Sequence, residues 1–175
     1  MKTPILETQR LILRPLTVAD AEWIYENWTS DADVAKYMIW DLHESVDETR
    51  TWLAAEETLL LSDKGYGWGF VLKETGALIG SGGLLYKESV DCFSLGYNIM
   101  KRYWNRGITT EAGAEMLRFA HETLGLKRFH CCHAAENIGS MRVMTKLGFQ
   151  FWRDSSYDSF SGKKHFDSKE YLLTL

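Results

Sequence analysis

Only three cysteines and two prolines stand among the 175 residues of this chain. Cys92, Cys131 and Cys132 make neither a disulfide framework nor a zinc pattern. Cys131 and Cys132 are adjacent, so on a strand they face opposite sides and are poorly placed to share an ion. Even with His130 and His133 beside them, no metal site is expected. Reduced thiols in a cytoplasmic protein are the expected state. The chain also lacks a long apolar run and a signal-peptide pattern, so neither membrane insertion nor export is expected. A formal net charge of -4 gives no basic footprint for nucleic acid and mildly favours a cationic acceptor. Neither Gly-x-x-x-x-Gly-Lys-Ser/Thr nor a Gly-x-Gly-x-x-Gly between strand and helix occurs, which excludes the two familiar phosphate loops. Repeats, low-complexity tracts and linkers are missing too, so a single domain over residues 1–175 is expected.

What the chain does hold is 45% hydrophobic residues and 13% aromatics, seven of them Trp, enough for a substantial core. Apolar periodicity divides it into strands and helices. Residues 7–15 predict a first strand with Leu11 and Leu13 on one face. Thr17-Val-Ala-Asp20 and Ser45-Val-Asp-Glu48 are capping signals for two helices, the first carrying Ala21, Ile24 and Trp28, the second Trp52, Leu53 and Glu56. Residues 30–44 have no clean period and read as a loop with one helical turn. Residues 63–67 read as a connection. Residues 68–73 and 78–85 form a hairpin across Glu74-Thr-Gly76, and 92–100 is the next strand. Gly80, Gly82 and Gly83 inside a strand signal a bulge or a close backbone approach. A long helix, a strand about Phe129, a short helix after Asn137 and strands at 149–154 and 165–174 complete the chain. This is a mixed α/β (α+β) domain with helices set against a mainly antiparallel sheet.

Two strand–turn–helix units carry the chemistry. The first runs from Ser94 to Ala112, with Leu95, Tyr97 and Ile99 alternating in a strand. A basic, aromatic turn ends at Gly107, and Ala112, Met116, Leu117 and Ala120 then follow helical spacing. Such a helix start leaves N–H groups free beside a partial positive charge, and Arg102 and Arg106 add formal charge, so it suits a phosphate. The second unit, residues 129–149, places Asn137 as a helix N-cap with Ser140 one turn on, Met144 inward and Gly148 at the close.

Together these units resemble the GNAT superfamily of acetyl-CoA-dependent N-acetyltransferases, most closely its ribosomal-protein N-terminal acetyltransferase (RimJ/RimL-like) branch. The likeness rests on Gly96-Tyr97, Tyr103-Trp104, Gly107 and Thr110-Glu111-Ala112 in the first unit. In the second it rests on Asn137, Ser140, Arg142-Val143 and Lys146-Leu-Gly-Phe149, and Glu7 to Pro15 matches the branch's first strand. The resemblance implies a GNAT-like domain: a central mixed, mainly antiparallel sheet of about six to seven strands flanked by about four helices.

It also implies the roles. Backbone N–H groups of Arg106, Gly107, Ile108, Thr109 and Thr110 would hold the acetyl-CoA diphosphate, although the family usually has a small residue where Thr109 stands. The pantetheine arm would pair with backbone groups of Ile99 and Met100, freed by a splay of that strand, and an N–H there would meet the thioester oxygen. Asn137 would contact CoA, or serve only as a helix cap. Ser140 would lie near the sulfur and return a proton to the departing thiolate. The general base stays open. Where the branch commonly has Glu stands Trp152, leaving Glu111, Asp91, Asp154 and Asp158, and Glu111 is equally well read as a first-turn carboxylate favoured by the helix dipole. Tyr97 reads as core. The acceptor site would form from residues 37–43, Trp68 and residues 157–166, with Trp40, Tyr157 and Phe160 as walls, while Lys163, Lys164 and His165 read as a solvated cluster. The implied activity is acetyl transfer by direct attack of a primary amine, a protein N-terminal α-amine among the options. A small-molecule amine or amino acid is the alternative acceptor, and a non-catalytic CoA-binding sensor the alternative class. A monomer or homodimer without metal, nucleic acid or membrane partner is expected.

Overall fold

The computed structural model describes residues 2–175. Eight strands form one sheet: β1 Leu6–Glu7, β2 Leu11–Arg14, β3 Gly65–Leu72, β4 Leu78–Lys87, β5 Cys92–Ile99, β6 Arg128–Ala134, β7 Gln150–Asp158 and β8 His165–Thr174. Their order is β1-β2-β3-β4-β5-β6-β8-β7. Every neighbouring pair is antiparallel except β5 and β6. Five helices accompany them: α1 Ala21–Ile24, α2 Ala32–Ala35, α3 Val46–Leu59, α4 Ile108–Glu122 and α5 Ile138–Lys146. A π-type turn, Tyr25–Thr29, continues α1.

The sheet has one strand more than the upper expectation because residues 7–15 do not run straight. The chain turns at Thr8–Arg10, where Thr8 N–H donates to Leu11 O at 2.9 Å, and β1 folds back onto β2. The fifth helix is α2, in the segment expected to hold one turn. Asp31 caps it by accepting from Asp33 N–H at 2.8 Å.

The strand β3 begins at Gly65 rather than at Trp68, so the expected connection is shorter. Its Gly-Tyr-Gly-Trp-Gly-Phe alternation sorts the two faces by size. Tyr66, Trp68 and Phe70 enter the core, with Phe119 of α4 edge-on to Tyr66 at 5.8 Å and to Trp68 at 5.7 Å. The glycines let Leu16 and the Leu59 end of α3 approach the other face. A Cβ at Gly69 would fall 2.4 Å from Leu16 Cδ2, and one at Gly65 2.6 Å from Leu59 Cγ. Trp68 is 1% exposed and donates its indole N–H to Pro4 O, so it is core and forms no part of an acceptor wall. The strand β4 carries the bulge its glycines signal: Phe70 opposes Gly80 while Val71 opposes Leu78, leaving Ile79 unpaired with β3.

The crossover β5–α4–β6 sets the site. Ala112, Met116, Leu117, Phe119 and Ala120 are the buried stripe of α4, which packs on β4 and β5. Burying these side chains contributes roughly 1.5–3 kcal/mol for each large one, and this stripe fixes the start of α4 beside the end of β5. The pairing of β5 with β6 covers only Phe93 opposite Phe129 and Ser94 opposite His130. Its pairing with β4 continues to Ile99. The sheet therefore opens between β5 and β6 beyond Ser94.

Candidate active site

A cleft of about 520 Å³ occupies this opening. The first motif contributes Ile99 and the turn from Tyr103 to Thr110; the second contributes Glu136 to Ser140, Arg142, Val143 and Lys146. Val34, Tyr37 and Met38 close the far side. Of the residues the sequence singles out, Ile99, Arg106, Gly107, Ile108, Thr109, Thr110, Asn137 and Ser140 all line the cleft, whereas Met100 and Glu111 do not. The cationic pair Arg142 and Lys146, one turn apart on α5, was missed as lining, although their four-residue spacing places them on one face.

At the start of α4 the backbone is left-handed at Asn105 (φ 60°) and again at Gly107 (φ 72°). A Cβ at Gly107 would meet only Arg10 Nη2 at 3.8 Å, so its dihedral, not crowding, calls for glycine. The first helical bond runs from Glu111 N–H to Gly107 O at 3.0 Å. The N–H groups of Ile108, Thr109 and Thr110 thus have no acceptor within the helix. These donors lie on the cleft at the place where the sequence suggests an anion, with Arg106 beside them.

Only part of the expected splay geometry is present. Met100 N–H donates to Ile79 O at 2.9 Å, so Met100 faces β4 and is not freed. By the alternation of an antiparallel ladder, the backbone groups of Ile99 then face the opening. The carbonyl of Ile99 accepts from the Trp104 indole N–H at 2.9 Å, which leaves the Ile99 N–H as the donor facing the gap.

Asn137 is the N-cap of α5, its Oδ1 accepting from Ser140 N–H at 3.1 Å, and it borders the cleft as well. The Ser140 hydroxyl lies 2.9 Å from the Tyr97 hydroxyl, which also donates to Ser140 O at 3.2 Å. Tyr97 is therefore more than core. Burial pushes its phenol well above the ordinary tyrosine value, so it is a neutral hydrogen-bond donor at any physiological pH.

Glu111 is a structural anchor instead of a base in the cleft. Its carboxylate accepts from Thr8 Oγ1 at 2.5 Å, Arg10 N–H at 2.8 Å and Arg10 Nε at 2.6 Å. Burial pushes its pKa up, but the bonds from Thr8 and Arg10 outweigh that and hold it below the ordinary glutamate value. The other carboxylates sit elsewhere: Asp91 bonds the Tyr86 hydroxyl, Asp154 pairs with Lys169 at 2.7 Å, and Asp158 with His165 at 2.6 Å. Trp152 is the bulged residue of β7, without a partner on β8, and Arg153 lies 4.1 Å over its ring.

The far wall joins the two segments expected to meet. Tyr157 donates to Tyr37 O at 2.8 Å, and Phe160 N–H to Ile39 O at 2.8 Å. Lys164 is not a solvated cation. Its ammonium donates to the carbonyls of Ala35, Met38 and Trp40 at 3.1–3.2 Å and ties the loop after α2 to the β7–β8 hairpin. Phe160 is 78% exposed and does not line the cleft.

Among the described residues no group of three or more His, Cys, Asp or Glu is arranged to hold a metal ion. No helix of these residues is long and apolar enough to cross a membrane.

Comparison with known proteins agrees with this geometry. The family described as an acetyltransferase (GNAT) domain matches residues 10–150. The N-acetyltransferase YoaA of Bacillus subtilis is 31% identical over 148 residues, covering 84% of this chain and 83% of YoaA. The ribosomal-protein-S5-alanine acetyltransferase of Vibrio fischeri superposes with a TM-score of 0.81 at 15% identity, over 98% of this chain and 96% of that one. The microcin C7 self-immunity acetyltransferase MccE, solved with acetyl-CoA and AMP, gives 0.82 at 16% identity over 96% and 94%.

Proposed function

We propose, from the premise that this chain belongs to the GNAT acetyltransferase family and uses acetyl-CoA, that its acceptor is the α-amine of a peptide or protein N-terminus, in the manner of the RimJ/RimL-like branch. The amine attacks the thioester carbonyl directly. The observation that carries the acetyl-CoA half of this reading is the divergence of β5 from β6 after Ser94, which turns the backbone of Ile99 toward a cleft between the starts of α4 and α5. The N–H groups of Arg106 to Thr110 hold the diphosphate there, with Arg142 and Lys146 as further countercharge. The Ile99 N–H receives the carbonyl oxygen as it gains negative charge. Ser140, fixed by Tyr97, gives its proton to the leaving thiolate and regains one from the amine nitrogen as the amide forms. Glu136, on the cleft, suits a cationic amine on approach.

Acetyl-CoA titration tests the donor half. Wild-type protein is expected to bind at micromolar strength, about -8 kcal/mol, and Gly107→Trp to abolish binding. Thiol release is then followed with free-amine peptides and with small amines. Turnover on peptides over small amines supports the reading. Turnover on small amines alone assigns the cleft to a metabolite, and failure of a folded wild type to bind acetyl-CoA removes the site.

A further inference from the structure

A second, far smaller cavity of about 10 Å³ adjoins the cleft through a shared residue. Trp28, Thr29, Trp40, His43, Trp52 and Asn98 line it, and Asn98 also lines the cleft. The space is that of one water molecule. Two buried polar atoms of its lining lack any partner: the Trp28 indole Nε1 and the Asn98 Oδ1. Trp28 is fully buried, and an indole N–H left unbonded there is destabilising. A water accepting from Trp28 and donating to Asn98 satisfies both at once. One further hydrogen and one lone pair of that water stay available.

We propose that His43 is the general base of the reaction, taking the proton of the acceptor amine through a water held between Trp28 and Asn98. His43 Nδ1 lies 2.7 Å from Thr49 Oγ1, which is itself 2.8 Å from Thr29 Oγ1. With Nδ1–H donating into this hydroxyl pair, the Nε2 lone pair is the free basic site of a ring that lines the cavity. The proton balance closes. The ammonium gives its proton to the water while the water gives one to Nε2, leaving a neutral amine to attack and an imidazolium to discharge to solvent. Trp28 and Asn98 are positioning residues for the water. Burial pushes the His43 imidazole below the ordinary histidine value, and Glu48 raises it in part. The ring is thus a neutral, proton-accepting group at neutral pH. Glu48 is the charged group that acts on it; Trp28, Trp40, Trp52, Thr29, Thr49 and Asn98 carry none, and Glu56, on the same helix as Trp52, is held above the ordinary glutamate value chiefly by burial.

This inference rests on the acetyltransferase reading, and the test separates the two. Steady-state kcat/KM is measured against pH with the amine acceptor found for the wild type, alongside His43→Gln and Trp28→Phe and acetyl-CoA titrations of all three. The wild-type acid limb should lie below the ordinary histidine value of about 6.5. His43→Gln should lose about 10²-fold near neutrality with acetyl-CoA affinity unchanged, and the deficit should narrow as pH rises and the amine deprotonates unaided. Trp28→Phe should give a smaller loss of the same shape. A pH-independent deficit, wild-type rates in both variants, or a wild-type limb at the amine's own pKa overturns the assignment, and the last needs no variant to fold. Absence of any acetyl transfer by the wild type overturns the parent reading instead.

Discussion

The hydroxyl of Tyr97, on β5, lies 2.9 Å from that of Ser140, on α5, and so joins the two motif units across the opening of the sheet. Because burial keeps the phenol protonated, Tyr97 aligns Ser140 without ionising. Tyr97→Phe keeps the ring and removes both hydroxyl contacts to Ser140, about 1 kcal/mol or fivefold in kcat. Ser140→Ala should cost about 10²-fold in kcat with acetyl-CoA affinity nearly unchanged. In a double-mutant cycle the Tyr97 effect should vanish once Ser140 is gone. Additive losses would show that the two act separately.

Glu111 makes stability pH-dependent. Its folded pKa lies below the unfolded value, so its contribution is complete above about pH 4.3 and is lost as pH falls through the folded value. Glu111→Gln should destabilise by about 2 kcal/mol at pH 7, since three bonds to the carboxylate are weakened or lost. Denaturant melts of both proteins from pH 7 to pH 3 should converge at the acid end. A gap that stays constant over that range would mean that the charge is not what matters.

Restoring a glutamate at Trp152 should not accelerate turnover. The side chain stands on a bulge of the edge strand against Arg153 and does not border the cleft. As a surface change, Trp152→Glu should leave kcat within about twofold. A tenfold gain would bring β7 into the chemistry.

Lys164 holds the acceptor wall together. Lys164→Met keeps much of the stem and loses three carbonyl contacts, each worth about 1–2 kcal/mol at most in this half-exposed setting. The expected outcome is a raised KM for the amine with an unchanged Kd for acetyl-CoA. Equal damage to both would place Lys164 in general stability.

The two helix starts that frame the cleft were legible in the sequence because backbone geometry carries them. Gly107, the helical spacing after it, and Asn137 with Ser140 announce N–H groups and caps whatever the fold around them. What failed were inferences about side chains whose partners lie far along the chain. Glu111 looked available because Thr8 and Arg10 are about 100 positions away, and Met100 looked freed because its pairing with Ile79 of β4 leaves no local signal. The strand β3 was shortened at its start because alternate glycines mimic a connection, when here they admit Leu16 and α3. His43 closes the expected acceptor segment, residues 37–43, but the lack of periodicity in residues 30–44 gave no reading of its side chain. Its position depends on a π-type turn and on a bond from its N–H to Thr29 O at 3.0 Å, neither of which leaves a local pattern.

As a mechanical object the sheet is two plates, β1 to β5 and β6 to β8, sharing a neck two residues wide at Phe93–Phe129 and Ser94–His130. Few backbone pairs hold the two plates together there, so the width of the gap is the coordinate a bound cosubstrate should stiffen. A cosubstrate that spans the gap acts as a strut. At 100 times its Kd, acetyl-CoA should add about 2.7 kcal/mol to the folded state, and amide exchange should slow first in β5 and β6.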